Sequence, residues 1–319
     1  TMAEVEWQRL KAQELRALAE QGAVVILPVA SIEQHGPHLP TMTDTRLGHE
    51  VAIRAARKSY ASRPVVVTPV VWAGLSEHHM PFGGTLTVSH ATFQAVLRDL
   101  VTSITRHGFH DIVISNSHGG NMIAMQHFCE DMAPGLNATL VATTYPAEAA
   151  EEIGKILEDQ VNLSHACEAE TSMMMACEEE LVDASDLAAL NNPDGGGPRF
   201  LSAGKGSYRW RPYAHMTAHG ATGMPGRATA DKGERLFEAA ANAIAEMIVD
   251  PETWAAPSDQ RGAGAGGVIL QGIAQLRDAR GMAAPEERLR RPPVPSNRVV
   301  WLHLQNRAYP VLARSWTQF

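Results

Sequence analysis

Ala23-Val24-Val25-Ile26-Leu27-Pro28-Val29, then Glu33-Gln34-His35-Gly36-Pro37-His38-Leu39-Pro40, and four residues further Asp44, decide how this chain folds. The first seven residues form an unbroken apolar run, as expected of a strand buried on both faces of a parallel sheet. An acid, an imidazole and a second acid then emerge together where that strand ends. Open α/β sheets place their sites at that edge. Residues two apart on an extended stretch point the same way, so Glu33 and His35 can aim at one point. Gly36 and Pro37 turn the chain and let Asp44 return to the same spot at the start of the next helix. A carboxylate–imidazole–carboxylate set suits a divalent metal such as zinc, manganese or iron.

Working outward, Val65–Val70, Asp111–Ser115 and Thr139–Thr143 are further strand-like runs. Between them the period changes. Phe93, Val96, Leu97, Leu100, Val101 and Ile104 fall on one face of a helix, with Ser89 as N-cap and Gly108 as its stop. Arg46–Lys58 and Arg235–Ile248 also carry a helical pattern. Strands alternating with helices imply βαβ units around a mainly parallel sheet. There is no internal repeat.

Three more clusters carry chemistry. Asn116-Ser117-His118-Gly119-Gly120-Asn121 follows a strand and precedes a helix, as the first cluster does; His118 is its nitrogen ligand, and the glycines admit close backbone approach. In His165-Ala166-Cys167-Glu168-Ala169-Glu170-Thr171-Ser172, a helix start would put His165 and Glu168 on one side and Glu170 on another. One acid could bind metal while His165 handles protons. The bland alternative is a helix start with an acidic first turn. Gly74-Leu75-Ser76-Glu77-His78-His79 follows a third apolar run. Adjacent His78 and His79 are expected to point apart, leaving Glu77 and His78 to support the ligands or touch substrate; Glu77 is counted with the catalytic set.

The 319 residues carry 27 Lys and Arg against 35 Asp and Glu, a net charge of −8, so nothing global favours nucleic acid or an anionic membrane. Three unpaired-looking cysteines, Cys129, Cys167 and Cys177, favour a reducing compartment. With no apolar run long enough for a span and no signal-peptide pattern, a cytoplasmic location is expected. Asn191–Pro198, with three successive glycines, could cradle an anion, but it lacks a strand–glycine–helix context, so a flexible loop is expected. Composition changes after Trp254: a Gly/Ala linker (Gly262–Gly267) leads to Arg288, Arg290, Arg291 and a proline-rich stretch. Residues 1–254 are therefore expected to form one domain, and 255–319 a weakly ordered tail with no assigned chemistry.

Together these motifs resemble the creatininase family of metal-dependent amidohydrolases. The matching pieces are Leu27–Pro40 with Asp44, Gly74–Thr85, Ser117–Asn121, His165–Ser172, and a closing motif in Gly220–Pro225 with Ala228–Glu234. The likeness spans about residues 8 to 250. It implies a three-layer α/β/α fold and two divalent ions per subunit, zinc first, manganese or iron as alternatives. It also implies Glu33, His35, Asp44 and His118 as ligands, with Asp44 bridging, and His165 as the catalytic histidine. Where creatininase itself has a ligating glutamate two residues after the second motif's histidine, this chain has Gly120. In His-Gly-Gly-Asn members the third motif supplies that carboxylate, which implies Glu170 as fifth ligand and Glu168 in reserve. The tryptophans that creatininase uses around its substrate are absent from Ala147–Ser164, which argues against creatinine.

Two ions bridged by Asp44 would make hydroxide available from a shared water near neutral pH and would polarise a carbonyl. His165, with a reference pKa near 6.5, suits protonation of the leaving nitrogen. The expected reaction is hydrolysis of a non-peptidic C–N bond in a small molecule, a cyclic amide or a formamide. Three alternatives stand beside it. One is a peptidase-like enzyme that trims a small peptide precursor, as in the mycofactocin-associated branch. Another is a non-catalytic metal-binding scaffold. The third is nucleic-acid binding through the arginine-rich tail. Family members commonly form hexamers or smaller even oligomers, so a homo-oligomer is expected.

Overall fold

The computed structural model describes residues 3–160, 162–193, 208–258 and 260–261. The Gly195–Gly197 run and the linker and arginine-rich tail beyond Gly262 lie outside them. Its elements run α1 (Ala12–Glu20), β1 (Val24–Val29), α2 (Thr43–Ser59), β2 (Val65–Val67), α3 (His90–Arg106), β3 (Asp111–Asn116), α4 (Met122–Met132), β4 (Thr139–Thr144), α5 (Tyr145–Glu148), α6 (Ala150–Ile156), α7 (Glu168–Cys177) and α8 (Ala230–Val249).

The four strands are parallel, in the order β2-β1-β3-β4. Every residue of β1 is buried, because helices cover both faces. The alternation of side chains sorts that burial: Val24 and Ile26 face a core with α2, α7 and α8, while Val25, Leu27 and Val29 face a second core with α1, α3 and α4. The result is a three-layer α/β/α sandwich. Each fully buried Val, Leu, Ile, Phe or Met contributes about 1.5–3 kcal/mol through removal from water. Strand β2 stops at Val67, short of the expected Val70, because Pro69 has no N–H to extend the ladder. Helix α3 starts and ends as expected: Ser89 Oγ accepts from Thr92 N at 3.2 Å, and Gly108 takes φ +92° just past the end. Of its expected apolar face, Leu100 is exposed, while Phe93, Leu97, Val101 and Ile104 are buried.

The topology fixes where a site can form. From β1 the chain crosses through α2 to β2 on one side; from β3 it crosses through α4 to β4 on the other. The carboxyl ends of β1 and β3 therefore flank the point where the connections diverge, which opens a crevice there. No helix among the described residues is long and apolar enough to cross a membrane.

Candidate active site

The crevice is assembled by backbone-directed side chains. Asn121 Nδ2 donates to Ala30 O at 3.0 Å and its Oδ1 accepts Leu75 N at 3.0 Å, tying the exits of β1 and β3 to the segment before His78. Ser117 Oγ donates to the Asp44 carbonyl at 2.8 Å and so pins the first turn of α2 to β3. Gly120 is required for this fit, since a Cβ there would lie 2.4 Å from Leu75 O and from His118 Nε2. Gly119 has open space at the same position, so only one of the two glycines serves close approach.

The five expected ligands converge. Glu33, His35, Asp44, His118 and Glu170 are all buried. His35 Nε2 lies 3.2 Å from Asp44 Oδ1 and 3.7 Å from Glu170 Oε2. His118 Nδ1 lies 3.1 Å from Asp44 Oδ2 and 3.2 Å from Glu33 Oε2. Asp44 thus offers one oxygen to each imidazole.

Hydrogen bonds on the far side of each ring decide what faces the centre. His35 Nδ1 is 3.1 Å from the Glu33 carbonyl, and His118 Nε2 is 3.1 Å from the Leu75 carbonyl. A carbonyl only accepts, so these nitrogens carry the protons. In the neutral rings His35 Nε2 and His118 Nδ1 then present lone pairs to carboxylate oxygens. Lone pair facing lone pair calls for a positive charge between them, supplied either by a second proton on the ring or by a metal ion. Consistently, His35 Nε2 and Asp44 Oδ2 are buried without a hydrogen-bond partner among the described residues. Donors about 2.1 Å from one ion at near-tetrahedral angles lie about 3.4 Å apart, and the spacings above bracket that value. Several triads here, Glu33–His35–Asp44 and His35–His165–Glu170 among them, bring their ligand atoms within 4.8 Å of one another. The cluster could hold metal.

The electrostatics agree. Burial opposes a charged imidazole at His35 and His118, yet the surrounding carboxylates outweigh it and hold both pKa values well above the ordinary histidine value. Burial would raise Glu33, but His118, His79 and His165 hold it well below the usual carboxylate range. Burial raises Glu170, against the pull of His35. The field of these acids favours positive charge in the centre.

The third motif resolves its two acids. Helix α7 begins at Glu168, and its first turn points Glu168 and Glu170 to different sides. Glu168 is fully buried and bonded to Lys232 Nζ at 2.7 Å, away from the cluster; Glu170 faces His35 and accepts from Ala166 N at 2.5 Å. Ala166 takes φ +50°, an unusual conformation for a side-chain-bearing residue, and that turn aims its N–H at Glu170. His165, just before it, precedes the helix. Its Nε2 donates to Gln34 O at 2.8 Å, so its Nδ1, 3.4 Å from Glu33 Oε1, is the accepting atom. Burial and the nearby His35 push its pKa down to about 3, in contrast to the ordinary value expected from sequence.

The fourth motif corrects an expectation. Glu77 is exposed and outside the cluster, whereas His78 and His79 are both buried beside it. The segment Glu77–Phe82 is a 3-10 helix, not an extended strand, and each residue turns by about 120°. Neighbours about 120° apart, unlike the 180° of a strand, can both reach one side, and here His78 and His79 do so while Glu77 is exposed. His79 Nε2 lies 3.5 Å from Glu33 Oε1, and the two rings sit 4.4 Å apart. Sequence reasoning also missed Ser76, whose hydroxyl donates to Glu33 Oε2 at 2.5 Å, and Tyr213, whose ring packs 5.0 Å from that of His165. Ser76 stands in the quoted motif and could have been found there; Tyr213 had no local signal.

Comparison with known proteins places the chain by sequence and fold. The family model for creatininase, described as creatinine amidohydrolase, matches residues 8–248. A mycofactocin precursor peptide peptidase of Mycolicibacterium smegmatis is 31% identical over 73% of this chain and 87% of its own length. A 3-dehydro-scyllo-inosose hydrolase of Thermotoga maritima is 25% identical over 77% of this chain and 83% of its own length. A solved structure titled creatininase Mn shares the fold, with a TM-score of 0.62 and 23% identity over 77% of this chain and 98% of that one. With the parallel sheet, the motif set and the family match in agreement, this chain belongs to the creatininase family.

Proposed function

We propose that this protein is a two-metal hydrolase that cleaves an amide C–N bond in a small peptide precursor. The observation that carries the reading is Asp44 set between two buried imidazoles, one oxygen toward each, with Glu33 and Glu170 beside them. Glu33 and His118 would hold one divalent ion, His35 and Glu170 the other, with Asp44 shared. Zinc fits the nitrogen-and-oxygen donor set, and manganese or iron would also be accepted. When bound, such ions supply Lewis acidity toward a carbonyl and a nucleophile from water at neutral pH.

The chain's own residues do the rest. Glu33, Asp44 and Glu170 would offset three of the four positive charges of two bound dications, so that the filled site would keep little net charge. His165 Nδ1 starts as a proton acceptor, because its Nε2 proton is committed to the Gln34 carbonyl. It can take the proton released as water attacks and return it to the departing nitrogen. Ser76 and the Glu33 and Leu75 carbonyls hold ligand orientation.

The peptide assignment is favoured by the likeness to the Mycolicibacterium peptidase over most of that protein's length. A cyclic amide or formamide is the second reading, favoured by the family model's description as an amidohydrolase. Zinc-loaded protein assayed against short peptides, creatinine and formamides separates them. Peptide cleavage, lost in Asp44→Asn together with bound zinc, is the expected result. A wild-type protein that binds no zinc, or an Asp44→Asn variant that keeps both metal and activity, would end the reading.

A further inference from the structure

We propose that Lys232 is a positioning residue for the site, acting through Glu168; this rests on the two-metal reading above. Lys232 stands in the first turn of α8, where the helix dipole disfavours a cation, so its place there has another cause. The residue is buried, and its ammonium has three partners: Glu168 Oε1 at 2.7 Å, Glu158 Oε1 at 2.5 Å and the Arg227 carbonyl at 2.7 Å. Glu168 in turn accepts from Glu158 N with both oxygens at 3.3 Å. One cation therefore binds the start of α7, the start of the 157–167 connection that follows α6, and the entry to α8.

That junction is built to be close. A Cβ on Gly233 would lie 2.0 Å from Ser172 O, so α8 meets the backbone of α7 there, and Thr229 N donates to Ser172 Oγ at 3.1 Å. The groups that this junction carries belong to the site. Glu170 is two residues after Glu168 on the same helical turn, and His165 is three residues before it. With Glu168 held on the Lys232 side, the rotation of the first turn of α7 is set. Glu170 then faces His35, and the Ala166–His165 turn lies against Glu33. Lys232 thus selects which of two neighbouring acids serves the metal site, without touching that site.

The test is a zinc titration against a competing chelator, read beside thermal melting and turnover. In Lys232→Met the affinity for one of the two ions should fall about 10- to 100-fold, the range seen when a ligand's supporting partner is removed. The other ion should be held as in the wild type, and the melting temperature should drop. Lys232→Arg should restore both. The double variant Lys232→Met with Glu168→Gln removes the buried charges together and should recover the melting temperature but not the lost zinc affinity. This double variant also decides the matter if Lys232→Met does not fold. Wild-type zinc affinity for both ions in Lys232→Met or in the double variant would overturn the proposal, leaving Lys232 as a mere neutraliser of a buried acid. Absence of zinc binding by the wild type would instead remove the metal reading itself, and the proposal with it.

Discussion

Strand β1 and the segment that follows it are buried to the same degree, yet they are stabilised in opposite ways. Val24–Val29 are at most 1% exposed where hydrophobic, and so is Glu33, while His35 and Asp44 lie at 0% and 2%. The strand gains from leaving water and needs no particular partner, because apolar burial is non-directional. The crevice loses hydration of three acids and several imidazoles, and recovers it only through a fixed arrangement of opposite charges and hydrogen bonds. One region would fold with any well-fitting apolar side chains. The other specifies its residues one by one, and its centre calls for a cation.

That contrast can be broken from either side. The largest effect is expected from Asp44→Asn, which removes a shared oxygen from both halves of the crevice. Loss of several kcal/mol of charge stabilisation corresponds to a fall in turnover of about 10²- to 10⁴-fold, with bound metal lost on elemental analysis. Phe93→Ala attacks the opposite region. It should cost about 3–5 kcal/mol in denaturant unfolding while the folded protein keeps its zinc affinity. A loss of metal with that variant would mean that the two regions are not separable.

Removing metal with a chelator should lower the melting temperature, because an ion at a hundred times its dissociation constant stabilises the fold by about 2.7 kcal/mol. An unchanged melt would show the crevice to be as self-sufficient as the strand. Ser76→Ala, which strips one hydrogen bond from Glu33 and leaves the ligands in place, should weaken zinc binding by about 10- to 100-fold. The smallest effect belongs to Glu77→Gln. An exposed residue outside the cluster should change stability by no more than about 0.5 kcal/mol and leave turnover as it was.

Much of this arrangement is legible in the chain. The apolar run before Glu33, the strand–glycine–helix placement of His118 and the helical period over Phe93–Ile104 are local signals, and local signals survive in sequence. The inner placement of His79 was not legible, because it depends on a 3-10 turn that the local pattern does not announce. Neither was the partnership of Glu168 with Lys232, which lie 64 residues apart and meet only because α7 and α8 pack together. Tyr213 reaches His165 in the same way, from a segment with no periodic signal.

Sequence alone determined that apolar strands would bury on both faces and deliver Glu33, His35, Asp44 and His118 to one edge, because side-chain alternation and turn chemistry act over a few residues. Only the tertiary structure decided that Glu170 and not Glu168 faces His35, that both His78 and His79 turn inward, and that Asp44 stands between two imidazoles. Those choices rest on which carbonyl, hydroxyl or ammonium lies opposite each group, and such partners come from chain segments that only folding brings within a hydrogen bond's length.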